Sequence, residues 1–400
     1  MMKTTRTLAI LMATLMALFA TSCKKDNENK PNPTPPVVET SREIPFLFEL
    51  PEGVTEAIEG ITLEIKNKET GKINKIEGLK SNEEKKVEVE FGTYDISAIA
   101  TLDDKVSYVG LLADQAITKE SDKLTISLES QIKGGLVIKE IFYSGGTNDE
   151  SGKAYQNGVD YIIINNNTSE TIYADSICLA ATASNTAIEK DIYRDFLPAS
   201  VVTDFVFMVP GDGKTYPIKP GENFVLAMEA KNHHEFSSQC PDLSKHANVE
   251  WFEPNDLFQL TDNPDVPNME IIFKTSRTIS PLHVRGKVSY FIFRLEKSID
   301  KLRKENTKSL PYPNPTVPPV DRVVVPTDWI LDGVELGAKE DGIFKALPVS
   351  VDNSHTYCSD LRKGYTVQRK VMRTIGSRKI FQDTNDSKND FLRDQPSSLL

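Results

Sequence analysis

Two hydrophobic patterns run along this chain, and they divide it. Between residues 61 and 130 apolar and polar positions alternate with a period of two. Ile61, Leu63 and Ile65 alternate in GITLEIKNKETGKI, Val87, Val89 and Phe91 and then Tyr94, Ile96 and Ala98 in KKVEVEFGTYDISA, and KVSYVGL and KLTISLE continue the beat. Successive side chains of a strand point to opposite faces, so this spacing predicts half-buried strands. Turn clusters such as Glu69-Thr70-Gly71 separate them. Residues 44–130 therefore read as a small antiparallel β-sandwich.

Beyond residue 131 the apolar runs lengthen. GLVIKEIFYSGG predicts a strand ending at Gly145-Gly146. VDYIIINNNTSETIYADSICLA reads as a strand, a polar turn and a return strand, and YPIKPGENFVLAM sets Pro220-Gly221 before Phe224-Val225-Leu226. The expectation is a second, larger β-sandwich over residues 131–400, in an all-β chain. Residues 191–281 read as a long excursion inserted into it. A loop of that length in a compact domain is functional or builds its own structure. One helix is expected, in EKSIDKLRKEN at residues 296–306; PYPNPTVPPV then interrupts regular structure.

The N-terminus has a separate grammar. Lys3 and Arg6 precede an apolar run, residues 7–20, too short for a relaxed membrane-spanning helix of about 20 residues. A basic segment, a short apolar segment and small residues form a secretory signal. Ala20-Thr21-Ser22-Cys23 resembles a bacterial lipobox, which implies a signal peptide over residues 1–22 and acyl chains on Cys23. Several chains anchor a protein stably where one does so marginally. Residues 23–43 are polar, then Pro-rich, and read as an extended tether. Lys24, Lys25, Asp26 and Glu28 resemble the export signals of Bacteroidetes surface lipoproteins. These features predict an outer-membrane lipoprotein at the cell surface, with the membrane as its first partner.

Further resemblances concern the modules. FGTYDISA resembles transthyretin-like or carboxypeptidase-regulatory-like modules, which act as spacers or docking units. GLVIKEIFY, DYIIINNNTSETIYADSICL and YPIKPGENFVLAM are similar to a lamin-tail-like fold, an immunoglobulin-like sandwich. In its closing strands Arg369 and Arg373 flank a strand, and the DTNDSKNDF phrase ends the domain in a turn. EIFYSGG, IYADSICLA, VPGDGKTYPIKPGENFVLA, AKNHHEFSSQCPDLSKHANVEW, DNPDVPNM and DTNDSKNDF together resemble a Bacteroidetes outer-membrane lipoprotein family built around a domain of unknown function. That resemblance implies location and fold, and almost nothing about chemistry.

Charge narrows the partners. The net charge of −11 argues against nucleic acid, which needs a basic face. The one dense basic stretch, Arg362 to Lys379, alternates with apolar residues and reads as the wet face of strands. Besides Cys23 there are Cys178, Cys240 and Cys358. An envelope location permits a disulfide, an odd count leaves one thiol free, and the pairing stays open.

Three clusters are candidate divalent-cation sites. Asp383, Asn385 and Ser387 have the one-three-five spacing of an EF-hand loop, but Lys388 and Asp394 stand where Gly and Glu are needed. The preferred reading is a self-capped turn. His233, His234, Cys240 and His246 have a zinc inventory without zinc spacing, which favours a polar surface loop. Asp262, Asn263 and Asp265 offer oxygen ligands in a rigid Pro-rich turn. His355 and Cys358 in HTYC lack an orienting third group, and Tyr357 and Trp329 read as core. Asp175-Ser176-Ile177 resembles a Bacteroidetes O-glycosylation sequon. No GxSxG elbow, HExxH or phosphate-binding Gly loop is present. The reading is a non-catalytic binding module, accessory to an outer-membrane nutrient transporter. The alternative is a metal-dependent hydrolase or nuclease with its site in residues 191–281.

Overall fold

The computed structural model describes residues 40–50, 57–103, 106–131, 135–156, 158–253, 260–277, 279–312, 314, 316–341 and 343–400. The signal-like segment, Cys23 and the tether up to residue 39 lie outside the described residues. Ser41–Leu400 forms the compact unit considered below.

The alternating N-terminal region forms two facing sheets. In the first, Ser41–Glu49 lies between Lys85–Glu90 and Leu124–Ser127, antiparallel to the former and parallel to the latter. The second runs Ile73–Leu79, Ile61–Asn67, Gly92–Asp103, Val106–Ile117, Glu129–Gln131 and is antiparallel throughout. Ile61, Leu63, Ile65, Val87, Val89, Tyr94, Ile96 and Ala98 all turn inward onto Ile44, Phe46 and Phe48. The Asn67 carboxamide accepts from the backbone N–H of Glu69 and Thr70, which pins the turn before Gly71.

The second region packs two larger sheets. A six-stranded sheet runs Val249–Glu250, Asn223–Ala227, Tyr161–Asn166, Leu136–Phe142, Tyr365–Arg369, Phe391–Pro396. A seven-stranded sheet runs Thr307–Leu310, Val320–Pro326, Ser200–Met208, Ile177–Thr182, Tyr290–Arg294, Ile330–Val334, with Glu270–Lys274 also paired to Ser200–Met208. The chain is thus all-β, with sandwiched, mainly antiparallel sheets.

Both faces of the central strands are covered, which is why they read as unbroken apolar runs rather than alternations. Ile162, Ile164, Leu179, Phe207, Trp251 and Ile292 fill the space between the sheets. On the outer face of the six-stranded sheet, Tyr161 and Ile163 meet Cys240 and Leu243. On the outer face of the seven-stranded sheet, Cys178 and Ala180 meet Phe291, Phe293 and Leu302. Leu302 belongs to the helix Ile299–Asn306, which Ser298 caps by accepting from the Lys301 backbone N–H.

Two expectations need correction. Residues 191–281 are not an excursion. They supply Ser200–Met208 and Asn223–Ala227, interior strands of the two large sheets. Ser200–Met208 is a nine-residue strand whose partners include Glu270–Lys274 and Val320–Pro326, so its place in a sheet depends on residues outside its own stretch. The basic stretch from Arg362 is not uniformly a wet face either. Arg369 is buried, because three carboxylates converge on its guanidinium: Asp332 at 2.7 Å, Asp383 at 2.9 Å and Asp390 at 3.6 Å.

Candidate functional site

A cavity of about 280 Å³ opens at one end of the larger sandwich, between the two sheets. Its walls come from strand ends that antiparallel pairing brings together. Tyr143 follows Leu136–Phe142, Asp160 precedes Tyr161–Asn166, and Tyr290 begins Tyr290–Arg294. A β-bulge contributes the next group. Ala181 pairs with Phe205 and Thr182 with Thr203, so Asp204 is the extra residue. Bulges re-aim side chains, and Asp204 lines the cavity. Its carboxylate accepts from Arg322 Nη1 at 2.5 Å and from the Thr275 hydroxyl. The segment carrying Leu282, His283 and Val284 closes the far wall.

Besides the ion-paired Asp204 carboxylate, the polar groups here include hydrogen-bond donors on His283 and two tyrosines. Asp160 is buried, and its carboxyl accepts from the Leu282 backbone N–H at 2.9 Å. Burial therefore pushes its carboxyl well above the usual carboxylate range, against the opposing pull of the Leu282 N–H. Burial lowers the His283 imidazole. Its Nδ1 accepts from the Arg285 N–H at 3.1 Å, which leaves the proton on Nε2. The Tyr290 oxygen accepts from the His283 N–H at 2.6 Å and keeps its own proton to donate. The Tyr143 oxygen accepts from the Cys358 N–H at 2.7 Å. Burial pushes both phenols up, so neither ionises near neutral pH. Phe205, Leu282, Val284 and Val288 supply apolar wall.

The residues singled out from sequence lie elsewhere and do not converge. His233 is buried; its Nε2 donates to the Glu229 carbonyl at 3.1 Å, and its Nδ1 lies 2.9 Å from the Tyr155 hydroxyl. Burial lowers its pKa to about 4. His234 bonds to the Cys240 carbonyl, and His246 is exposed at the end of a short helical turn. The segment covers the six-stranded sheet, with His233 and Cys240 buried beneath it and His234 and His246 exposed. Asp262 accepts from Asn268, and Asn263 donates to the Ala230 carbonyl. Asp265 donates its N–H to Asn263. Buried Glu250 accepts from the Asn263 N–H, so this turn is held from beneath by protein.

Asp383 ion-pairs with Arg369, and Asn385 sits in a left-handed conformation. The segment then forms a helical turn, Ser387–Asp390, capped by Asp386, as expected of a self-capped turn. Cys178, Cys240 and Cys358 are buried and free, each in a different core cluster. Asp175 is buried and accepts from the N–H groups of Gly213, Thr215 and Tyr216. Among the described residues no group of three or more His, Cys, Asp and Glu is arranged to hold a metal ion. The cavity residues Tyr143, Asp160, Asp204, His283 and Tyr290 escaped the sequence reading. One signal was available for Asp160, an acid set directly against the apolar run YIII.

Fold and cavity define an all-β protein whose larger sandwich carries a ligand-sized recess at one end. Residues 219–398 match the family described as "Protein of unknown function (DUF4876)". Among solved structures, the chain is similar to a DUF4876 family protein from Bacteroides thetaiotaomicron. The identity is 21%, the TM-score 0.58, and the match covers 89% of this chain and 95% of that one. At that identity the likeness speaks for the fold. A structure described as a candidate adhesin from Bacteroides ovatus aligns over 63% of this chain and 78% of its own, at 11% identity and a TM-score of 0.21, which carries no argument. No curated protein matches the chain.

Proposed function

We propose that this chain is a non-catalytic binding protein of the bacterial envelope. A lipid on Cys23 anchors it, the Pro-rich tether and the small sandwich act as spacers, and the larger, lamin-tail-like sandwich carries the ligand site. An outer-membrane nutrient transporter is the partner that such an accessory would serve. The observation that supports this reading is the donor array of the end cavity. His283 and Tyr290 present donors from an apolar wall beside the buried Asp160 carboxyl, and no nucleophile-base pair stands among them. Such an array suits a small, uncharged, oxygen-rich ligand on the scale of one sugar ring. The hydrolase alternative would need Asp262 and Asn263 released from their present bonds to Asn268, Ala230 and Glu250.

The test is calorimetric titration of the protein with a panel of neutral monosaccharides. Binding that Tyr290→Phe weakens by about fivefold is the expected result, since one lost hydrogen bond is worth ~1 kcal/mol. Binding unaffected by Tyr290→Phe, or turnover of any panel member, would overturn the reading. Cross-linking in intact cells followed by mass spectrometry tests the partner: recovery of a stoichiometric transporter supports it, and recovery of the chain alone counts against it.

A further inference from the structure

A second cavity, of about 300 Å³, lies on the C-terminal part of the larger sandwich and has the opposite electrostatic character. Lys370, Lys388 and Arg393 line it against a single carboxylate, Glu340, in a chain whose net charge is −11. The local excess of two positive charges runs against the whole molecule's field.

The positive groups are positioned rather than scattered. Gln395 pairs with Thr366 and Leu392 with Gln368, so Arg393 and Asp394 together oppose Val367 in a bulge. Asp394 takes the left-handed conformation there and accepts from the Ser359 N–H at 2.7 Å. The bulge sets the Arg393 guanidinium over the Tyr357 ring, 4.4 Å from its centroid. Lys370 Nζ is held by the Asn389 carbonyl at 2.6 Å.

Two observations mark the site as incomplete. Glu340 accepts from the Tyr357 hydroxyl at 3.2 Å, but it is 3.9 Å from Lys388 Nζ and 3.8 Å from Arg393 Nη1, in ion-pair range and short of a hydrogen bond with either cation. Thr356, also in the lining, is 1% exposed, yet among the described residues its hydroxyl has no hydrogen-bond partner. A buried hydroxyl without a bond is costly and calls for one.

The geometry points to an oxyanion site: the cavity binds the carboxylate, sulfate or phosphate group of a small ligand. Arg393 and Lys388 supply charge-assisted donors, the Thr356 hydroxyl donates from the buried wall, and Glu340 is a built-in competitor that the ligand displaces.

Calorimetric titration at low ionic strength with acetate, inorganic sulfate and inorganic phosphate distinguishes the three groups. One of them should bind, with an affinity that falls as salt rises. Arg393→Gln should weaken it at least tenfold and Thr356→Val several-fold, whereas Glu340→Gln should strengthen it several-fold. Strengthening cannot come from a misfolded variant, so it separates a site from a structural effect. The proposal fails if none of the three anions binds, if Arg393→Gln retains full affinity, or if Glu340→Gln leaves affinity unchanged or lowers it.

Discussion

Arg369 and Asp332 form a buried ion pair that fastens the two large sheets to each other. Arg369 Nη2 donates to Asp332 Oδ2 at 2.7 Å, from the six-stranded sheet to the seven-stranded one. Both groups also hold the same residue of Leu136–Phe142. Asp332 accepts from the Ile138 N–H at 2.5 Å, and Arg369 Nε donates to the Ile138 carbonyl at 2.9 Å. Asp390, buried with them, accepts from the Thr384 N–H at 2.8 Å and fixes the terminal turn.

Removing one partner from such a network leaves charge buried without compensation. Arg369→Met should destabilise the protein by about 3–5 kcal/mol in urea denaturation at neutral pH. Burial raises the Asp332 carboxyl while Arg369 pulls it down; without the guanidinium, Asp332 and Asp390 bind protons more readily in the fold. The deficit should therefore shrink as pH falls. A loss under ~1 kcal/mol would mean that the pair is not what joins the sheets.

Asp160→Asn gives the opposite result. The folded carboxyl titrates well above its unfolded value of ~3.9, so above that pH the folded state holds a proton that the unfolded state has released. Stability then falls with rising pH, by up to about 1.4 kcal/mol per unit until the folded carboxyl ionises. Asparagine mimics the protonated acid and does not titrate. The variant should match the wild type near pH 4 and exceed it increasingly as pH rises. Parallel stability profiles would show Asp160 to be ionised in the fold.

Thiol accessibility follows from burial. Burial pushes the Cys240 and Cys358 thiols up to about 12 and raises Cys178 as well, and the thiolate is the reactive form. A protein starting at residue 41 should show no reaction with an aromatic disulfide reagent when native, and all three thiols should react in denaturant. Rapid labelling of the native protein at any of the three would contradict their placement.

Asp175→Asn tests the turn at residues 211–216. Burial opposes ionisation of Asp175, but the N–H groups of Tyr216, Thr215 and Gly213 outweigh it and hold the carboxyl below its usual value. Its contribution is therefore present above the unfolded value of ~3.9 and is lost as pH falls through the lower folded one. The variant should lose about 1–3 kcal/mol near pH 7, with the gap to wild type narrowing below pH ~4. Gly211, at φ 126°, packs against the same carboxylate, where a Cβ would collide with Oδ1. Gly211→Ala should therefore also destabilise; a neutral Gly211→Ala would argue against this packing.

Local pattern carried much of the fold. Ile61, Leu63 and Ile65 alternate because a strand has two faces and one of them is wet, so periodicity alone gives both the strand and its buried side. Ser298 and the apolar Ile299 and Leu302 give the one longer helix by the same local logic. The turn at residues 383–390 was legible too, because Asp386 bonds to backbone three residues away.

What depended on distant residues could not be read this way. Ser200–Met208 looked like part of an excursion because its partners, Ile177–Thr182, Val320–Pro326 and Glu270–Lys274, lie far off in sequence. Arg369 looked wet because Asp332, 37 residues away, is what removes it from water. The end cavity joins residues from Tyr143 to Tyr290, and its chemistry comes from burial. Desolvation, not residue type, pushes the Asp160 carboxyl up and the His283 imidazole down. The sequence by itself therefore determined the strand class, the helix and the local caps, whose causes lie within a few residues. Only the tertiary structure decided which strands pair, which charges are buried and where the cavities open, because each rests on contacts and dielectric environment that no local stretch contains.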